Sequence, residues 1–299
     1  MTAASATKQV LLQRLEGLRQ IPTIPGVLAP LLRYLQQPVE QLDVQKVTDL
    51  LSQDKSLAAQ CLQMANSPLF GPSQRVQSLR GAVVSLGFHH VSDIAMSCGV
   101  LNLLPSDRTS LDPVAFWEHS LGGALVCRRV AREINFSDPA KAYLAGLLHD
   151  LGIIVNLWVL PKEFGTAWQT AKAEGIPLHE AEQRAMGFTH CDSGRLLAEQ
   201  WQLAPELVEV VTYHHTPEKA VEHGGLVALV QLADLLCRMS GLNHGYVEKR
   251  QVNLAEEAGF ALLANHSTML KDFDWARLTF ELDSYMDEVH SLVRAIYRT

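Results

Sequence analysis

The chain has 299 residues, 47% of them hydrophobic and 19% charged, with a formal net charge of −7. This balance describes a globular protein with a substantial core, as one large or two modest domains, and excludes a disordered chain. The acidic excess argues against nucleic acid as a partner; a small basic face around Arg128, Arg129 and Arg132 is the feature that would have to carry such binding.

In chain order, Leu11, Leu15 and Leu18 form one apolar face of a helix over Thr7–Arg19, suited to docking or dimerisation. Pro22 and Pro25 then stop the helix. From Val27 to Leu104 the pattern gives short helices: VLAPLLRYL, VQKVTDLLSQ, SLAAQCLQMAN, LRGAVVSLG and VSDIAMSCGVLNLL. Ser56, after Asp54, is expected to cap the third, and Asn66 to end it in a left-handed conformation before Ser67 and Pro68. The polar stretch LLPSDRTSLDP places a boundary near residues 105 to 112. Beyond it, longer helices are expected over Pro113–Ile134, Pro139–Leu151, Pro161–Ala173, His179–Met186, Asp192–Trp201, Pro205–His214, Leu226–Ser240 and Leu282–Tyr297. In the last, Met286, Val289, Leu292, Val293 and Ile296 form a stripe expected to be core or lid. The five tryptophans, Trp117, Trp158, Trp168, Trp201 and Trp275, are expected in the core or at its edge.

Cys61, Cys98, Cys127, Cys191 and Cys237 are scattered and contain no C-x-x-C pair, as expected of reduced thiols in a cytosolic protein. The first twenty residues lack the features of a signal peptide, and apolar runs such as IIVNLWVL and GLVALVQLADLL are too short or too interrupted to cross a membrane. A soluble, cytoplasmic protein is expected.

Five separated pieces carry the chemistry: His119 in FWEHS, His149 and Asp150 in LLHDLG, His190 in FTHCD, His214 and His215 in YHHTPE, and Asp234 in LADLL. Each sits in or at the end of a helical segment, so a bundle can turn them toward one cavity. Imidazole and carboxylate suit iron, manganese or zinc, and no thiolate falls in the set. Adjacent His149 and Asp150 diverge by about 100° on a helix, so they meet one metal only at a helix end, with Gly152 as the stop, or in a site of two ions bridged by Asp150. The competing reading is a metal-free polar core in which the same residues hydrogen-bond one another. His89, His90, His179, His223 and His244 have no partner pattern and are expected at the surface, and Glu118 on a solvated helix face.

The order of IPTIPGV, DKSLAA, MANSPLFG, AVVSLGF, GLLHDLG, the His190 segment and YHH resembles the HD-related output domain family, HDOD, over about residues 20 to 220. The resemblance implies an all-α fold: a helical N-terminal subdomain packed on an HD-like helical bundle. The organisation it suggests is an N-terminal helix at 1–20, the N-terminal part of the module at 21–110, and the HD-like subdomain with a C-terminal extension at 111–299. It implies kinship with metal-dependent phosphohydrolases, whose histidine, HD pair and distal aspartate fall on His119, His149, Asp150 and Asp234. The further histidines of the related HD-GYP enzymes fall on His190 and on His214 or His215.

Departures from that pattern disfavour cyclic di-GMP hydrolysis. Ile153 follows HDLG where the enzymes carry a lysine, Thr216 to Ala220 replace the specificity loop, and Ala115 stands where an acidic ligand is expected one turn before His119. The expectation is therefore a bacterial signalling or regulatory protein holding one or two divalent ions, acting through a protein partner or a nucleotide-like ligand, with a homodimer as one arrangement. With no sensor segment ahead of it, input would come from that partner or ligand. The alternative is an active phosphohydrolase, with Asp150 in the catalytic centre and Lys162 or Arg195 replacing the missing lysine. A purely structural interaction protein, indifferent to replacement of His149 and Asp150, is a third reading.

Overall fold

The computed structural model describes residues 41–71, 74–103, 111–267, 269–270 and 273–297, with Gln13, Pro30, Leu31 and Tyr34. The helix expected over Thr7–Arg19 lies almost wholly outside the described residues, as do Pro22–Gly26, most of VLAPLLRYL and most of the 105–112 stretch. Every α-helix and 3-10 turn in chain order is joined by loops, and no strand occurs among the described residues. The protein is all-α.

The chain divides into two compact units. One comprises Thr23–Leu104 with Ser284–Thr299, the other Pro105–Asp283 with Met1–Pro22. The first unit is built on α1 (Val44–Ser52), α2 (Lys55–Ala65) and α3 (Leu79–Leu101), which pack against one another. Asp54, rather than Ser56, caps α2, its carboxylate accepting from the Ser56 and Leu57 amides. Asn66 ends α2 at φ −91°, outside the left-handed region, because its side chain has other work: Nδ2 donates to the Leu62 and Val76 carbonyls and Oδ1 accepts from the Val76 amide. LRGAVVSLG and VSDIAMSCGVLNLL are one element bent at Gly87, whose φ of 83° only glycine adopts freely.

The second unit contains α4 (Pro113–Glu133), α5 (Pro139–Leu148), α6 (Leu151–Val159), α7 (Pro161–Glu174), α8 (Leu178–Met186), α9 (His190–Gln200), α10 (Pro205–Tyr213), α11 (Gly224–Met239) and α12 (Ala258–His266). A last helix, α13 (Trp275–Tyr297), begins in this unit and ends in the other. Asp112 and Asp138 cap α4 and α5 just ahead of a first-turn proline, which loses no hydrogen bond there. Helices α6 and α12 stand outside the helices expected from the sequence. The α13 stripe from Met286 to Ile296 is buried, as are Trp117 and Trp168, whereas Trp158 is half exposed. Residues Pro139–Val159 are long and apolar enough to cross a membrane, but 83% of that window is buried and the helix breaks at His149–Asp150, so its apolarity serves the core.

Two close helix crossings flank that break. A Cβ on Gly146 would stand 2.6 Å from the Gly123 carbonyl oxygen, so α4 and α5 touch backbone to backbone. A Cβ on Gly152 would stand 1.7 Å from the His190 carbonyl oxygen and 2.7 Å from the Gly194 amide nitrogen, where α6 crosses α9. Gly152 therefore does not stop a helix; it lies in the first turn of α6 and admits α9.

Gly152→Ala forces α6 and α9 apart and is expected to cost about 3 kcal/mol or more, the upper range of overpacking. Gly165→Ala, in α7 with nothing within 4 Å of the added carbon, is expected to gain up to about 1 kcal/mol from helix propensity. Urea unfolding of both variants beside the parent checks the pair.

Candidate metal centre

The HD pair is a two-residue turn between helices. His149 closes α5 in helical geometry, and Asp150 opens α6 at φ −97°, ψ 16° without capping it. This helix end lets adjacent side chains enter one cavity. His119 comes from the middle of α4, Asp234 from α11, His190 from the first turn of α9, and His214 and His215 from the end of α10. The six residues other than His215 are each at most 2% exposed, and His215 is half-buried.

Asp150 divides the cavity. Its Oδ2 lies 3.5 Å from His119 Nε2 and 3.2 Å from His149 Nε2, while Asp234 Oδ1 is 3.1 Å from His119 Nε2 and 3.9 Å from His149 Nε2. Its Oδ1 lies 3.3 Å from His190 Nε2 and 3.5 Å from His214 Nε2. His190 Nε2 is in turn 3.4 Å from His214 Nε2 and 3.1 Å from His215 Nε2. The site thus has two halves sharing one carboxylate, and both His214 and His215 belong to the second.

The histidines are held from behind. The Nδ1 atoms of His119, His149 and His214 lie 2.7, 2.7 and 3.1 Å from the carbonyls of Leu242, Gly146 and Val210, so each Nδ1 carries a proton and each Nε2 faces the cavity. His190 Nδ1 is 2.6 Å from the fully buried Glu182, which also accepts from the His190 amide and from Asn156. Ser193 donates to Asn156 Oδ1 and completes this chain. Orienting ligands through carboxylates and carbonyls is how proteins fix imidazoles for a metal.

Charge follows the geometry. Burial opposes ionisation of Asp150, but His149 beside it holds the carboxyl well below the usual range; at Asp234 the Arg238 guanidinium does the same. Burial would lower His214, yet Cys191 and Asp150 bring it up to about 10, and His190 is raised against burial by Glu182 and Cys191. Burial would raise the Cys191 thiol, but His214 and His190 bring it down to about 6. Protons on His190 and His214 thus balance anions in the absence of another cation.

Several features lie outside the sequence reading or correct it. His244 is not at the surface: it is 3% exposed, its Nε2 stands 2.8 Å from Asp150 Oδ2, and its ring lies 4.1 Å from that of His119. The loop carrying it passes over Ala115, since a Cβ on Gly245 would stand 3.7 Å from that of Ala115. An imidazole from a loop therefore enters beside the position where the resemblance leaves an acidic ligand missing. The small Ala115 was the available signal. His179 is half-buried and stacks on His215 at 4.1 Å, and burial brings it down to about 3. Cys191 is a thiol within the cluster that sequence reading described as thiolate-free.

Glu118 is buried rather than solvated. The basic face dissolves, because Arg128 is buried over the Tyr143 ring and Arg129 pairs with Glu133 and Glu281. Lys162 is exposed, and Arg195 pairs with Glu199 on the surface. The cation beside the cavity is Arg238, one turn after Asp234, whose spacing could have revealed it.

The donors fit divalent metal. Both Asp150 oxygens and His244 Nε2 are buried without an aligned hydrogen bond, with imidazole nitrogens 2.8 to 3.5 Å from the two oxygens. Buried polar atoms without partners are costly unless something else satisfies them. His119, His149 and Asp150 form one candidate metal-binding group, and His190, Cys191, His214 and His215 another.

Comparison with known proteins agrees. The HDOD domain family model matches residues 21–217. A solved HDOD domain protein with unknown function from Geobacter sulfurreducens is 28% identical, with a TM-score of 0.83 over 98% of both chains. A Shewanella amazonensis protein described as a candidate phosphohydrolase shares the fold, with a TM-score of 0.73 at 23% identity over 99% of this chain and 98% of that one. An uncharacterized Treponema pallidum protein is 26% identical over 220 residues, 73% of this chain; the chain spans 42% of that curated relative's length.

Arg238 Nε donates to Asp234 Oδ1 at 2.7 Å, and its Nη1 donates to Glu248 at 2.5 Å. Arg238→Ala leaves Asp234 buried without its cation and is expected to cost about 3 kcal/mol or more in metal-free protein, the range for a broken buried pair. Denaturant titration after chelation checks it; a loss below about 1 kcal/mol would count the pair as no more than a surface bridge.

Proposed function

Because this chain belongs to the HDOD family, we propose that it is a bacterial regulatory protein whose HD-type centre holds two divalent ions, iron, manganese or zinc, and signals through a protein partner. The observation that carries the metal reading is the Asp150 carboxylate, buried between two histidine clusters with imidazole nitrogens converging on both oxygens and none aligned as a hydrogen bond. His119, His149, Asp234 and Asp150 would hold one ion, with His244 beside them, and His190, His214, His215 and Asp150 the other. Bound there, the ions would supply Lewis acidity to an oxygen ligand.

The surroundings favour regulation over turnover. His244 stands against Asp150 on the side of the first cluster, where a hydrolase needs room for water and a phosphoester. Arg238, the cation beside the cavity, is engaged by Asp234 and Glu248, while Lys162 is exposed and Arg195 is paired with Glu199. A phosphoryl transition state gathers charge that a hydrolase must neutralise with a committed cation or clamp. Partner binding is assigned to the N-terminal helical unit, supported by a groove there along Leu62, Asn66, Gly71 and Arg75. A cytoplasmic location goes with this reading, supported by five free cysteines.

Protein purified without chelator or metal-affinity tag is expected to carry two equivalents of metal by elemental analysis, lost in the His149→Ala, Asp150→Ala variant. The metal-loaded protein is expected to leave bis(4-nitrophenyl) phosphate intact. Absence of metal, with both proteins equally stable, would retire the centre and leave a helical scaffold; metal-dependent turnover lost in the double variant would make the protein a phosphohydrolase.

A further inference from the structure

Resting on the two-ion reading above, we propose that Cys191 supplies a thiolate to the second half of the centre, giving it three histidines and one sulfur beside the shared Asp150. Cys191 follows His190 in the first turn of α9, and the turn is fixed twice over. Thr189 accepts from the Cys191 amide at 3.2 Å, and Asp192 accepts from the Thr189 amide at 2.9 Å.

Held there, Cys191 Sγ stands 3.9 Å from His214 Nδ1 and 4.0 Å from His214 Nε2. One donor atom from each of His190, Cys191, His214 and His215 lies within 4.8 Å of every other. The Nε2 separations of His190 from His214 and His215 are 3.4 and 3.1 Å. Tetrahedral nitrogen and sulfur donors, at their usual distances of about 2.0 and 2.3 Å from zinc, stand roughly 3.3 to 3.6 Å apart. The Nε2 atoms around His190 have close to this spacing, and the sulfur is within about half an ångström of it at His214.

A second observation points into the same space. Asp150 Oδ1, buried and without an aligned hydrogen bond, faces this cluster from 3.3 Å at His190 and 3.5 Å at His214. The other four cysteines are buried and none joins a metal-binding group among the described residues. Sulfur changes what the half selects. Three imidazoles and a thiolate favour zinc or ferrous iron over manganese or magnesium, whereas the first half offers nitrogen and oxygen alone. The thiol gives up its proton to solvent when it binds.

Cobalt(II) titrated into the metal-free full-length chain reads the sulfur directly, because a thiolate ligand gives a near-ultraviolet charge-transfer band that imidazole and carboxylate do not. The parent is expected to bind two equivalents, the band growing with one. Cys191→Ser and Cys191→Ala, checked for helix content by circular dichroism, are expected to lose the band, keep the other equivalent, and weaken the affected one by about tenfold or more, at least what losing a partner behind a ligand costs. Cobalt bound by the parent without the band overturns the thiolate and leaves the two-ion centre standing, and a band that persists in both variants overturns it equally. No cobalt bound at all removes both.

Discussion

A single carboxylate sets the terms for this molecule. Asp150 is 1% exposed, and its two oxygens face opposite groups of imidazole nitrogens, none aligned as a hydrogen-bond donor to them. An anion taken out of water and left in this state is costly unless positive charge lies close by. Protonated His190 and His214 provide such charge, and so would divalent ions. The arrangement around Asp150 therefore fits the proposed cation site, since a core built for stability alone is commonly served as well or better by apolar residues of similar volume.

The helices make that carboxylate reachable. His149 and Asp150 occupy a turn, which removes the angular divergence that a continuous helix would impose. Gly146 lets α4 approach three residues before His149, and Gly152 lets α9 approach two residues after Asp150, bringing His119 and His190 to the turn from opposite flanks. Behind the ligands, the Leu242, Gly146 and Val210 carbonyls and the Glu182 carboxylate fix ring orientation. A rigid arrangement of this kind loses little entropy on taking up a cation.

Much of this was legible in the sequence. The helical periodicity and first-turn prolines read α4, α5 and α7 to α11 to within a few residues but not α6 or α12, and began α13 at Leu282 rather than Trp275; the histidines and aspartates of the five pieces do come together in one cavity. What stayed hidden depended on tertiary placement. His244 lies in a loop with no periodicity, and only the path of that loop past Ala115 delivers it to Asp150. Gly152 reads as a helix stop by composition, yet its small size serves a crossing with a helix that begins 38 residues later, at His190. Cys191 is silent because a thiol next to a histidine faces another way on an ideal helix; the approach of His214 from α10 makes it a neighbour. Glu182 carries no motif, and its role exists because α8 ends where α9 begins.

Sharing Asp150 also couples the halves. Under the two-ion reading, a cation at Oδ2 would take electron density that Oδ1 otherwise presents to the second cluster, and the reverse would hold equally, since linkage between two binding sites is reciprocal. The Arg238 guanidinium adds a fixed bias to the first half through Asp234, whereas the second half has Cys191 and Glu182 around its imidazoles. The two halves thus start from opposite electrostatic settings, with a permanent cation behind one and anions around the other. The loop from Gly241 to Tyr246 meets the first half at two points, because its Leu242 carbonyl holds His119 and its His244 lies on Asp150. Its backbone, with positive φ at Gly241 and Gly245, is built from turns rather than helix, so two supports of the centre come from a segment whose path only glycine adopts freely.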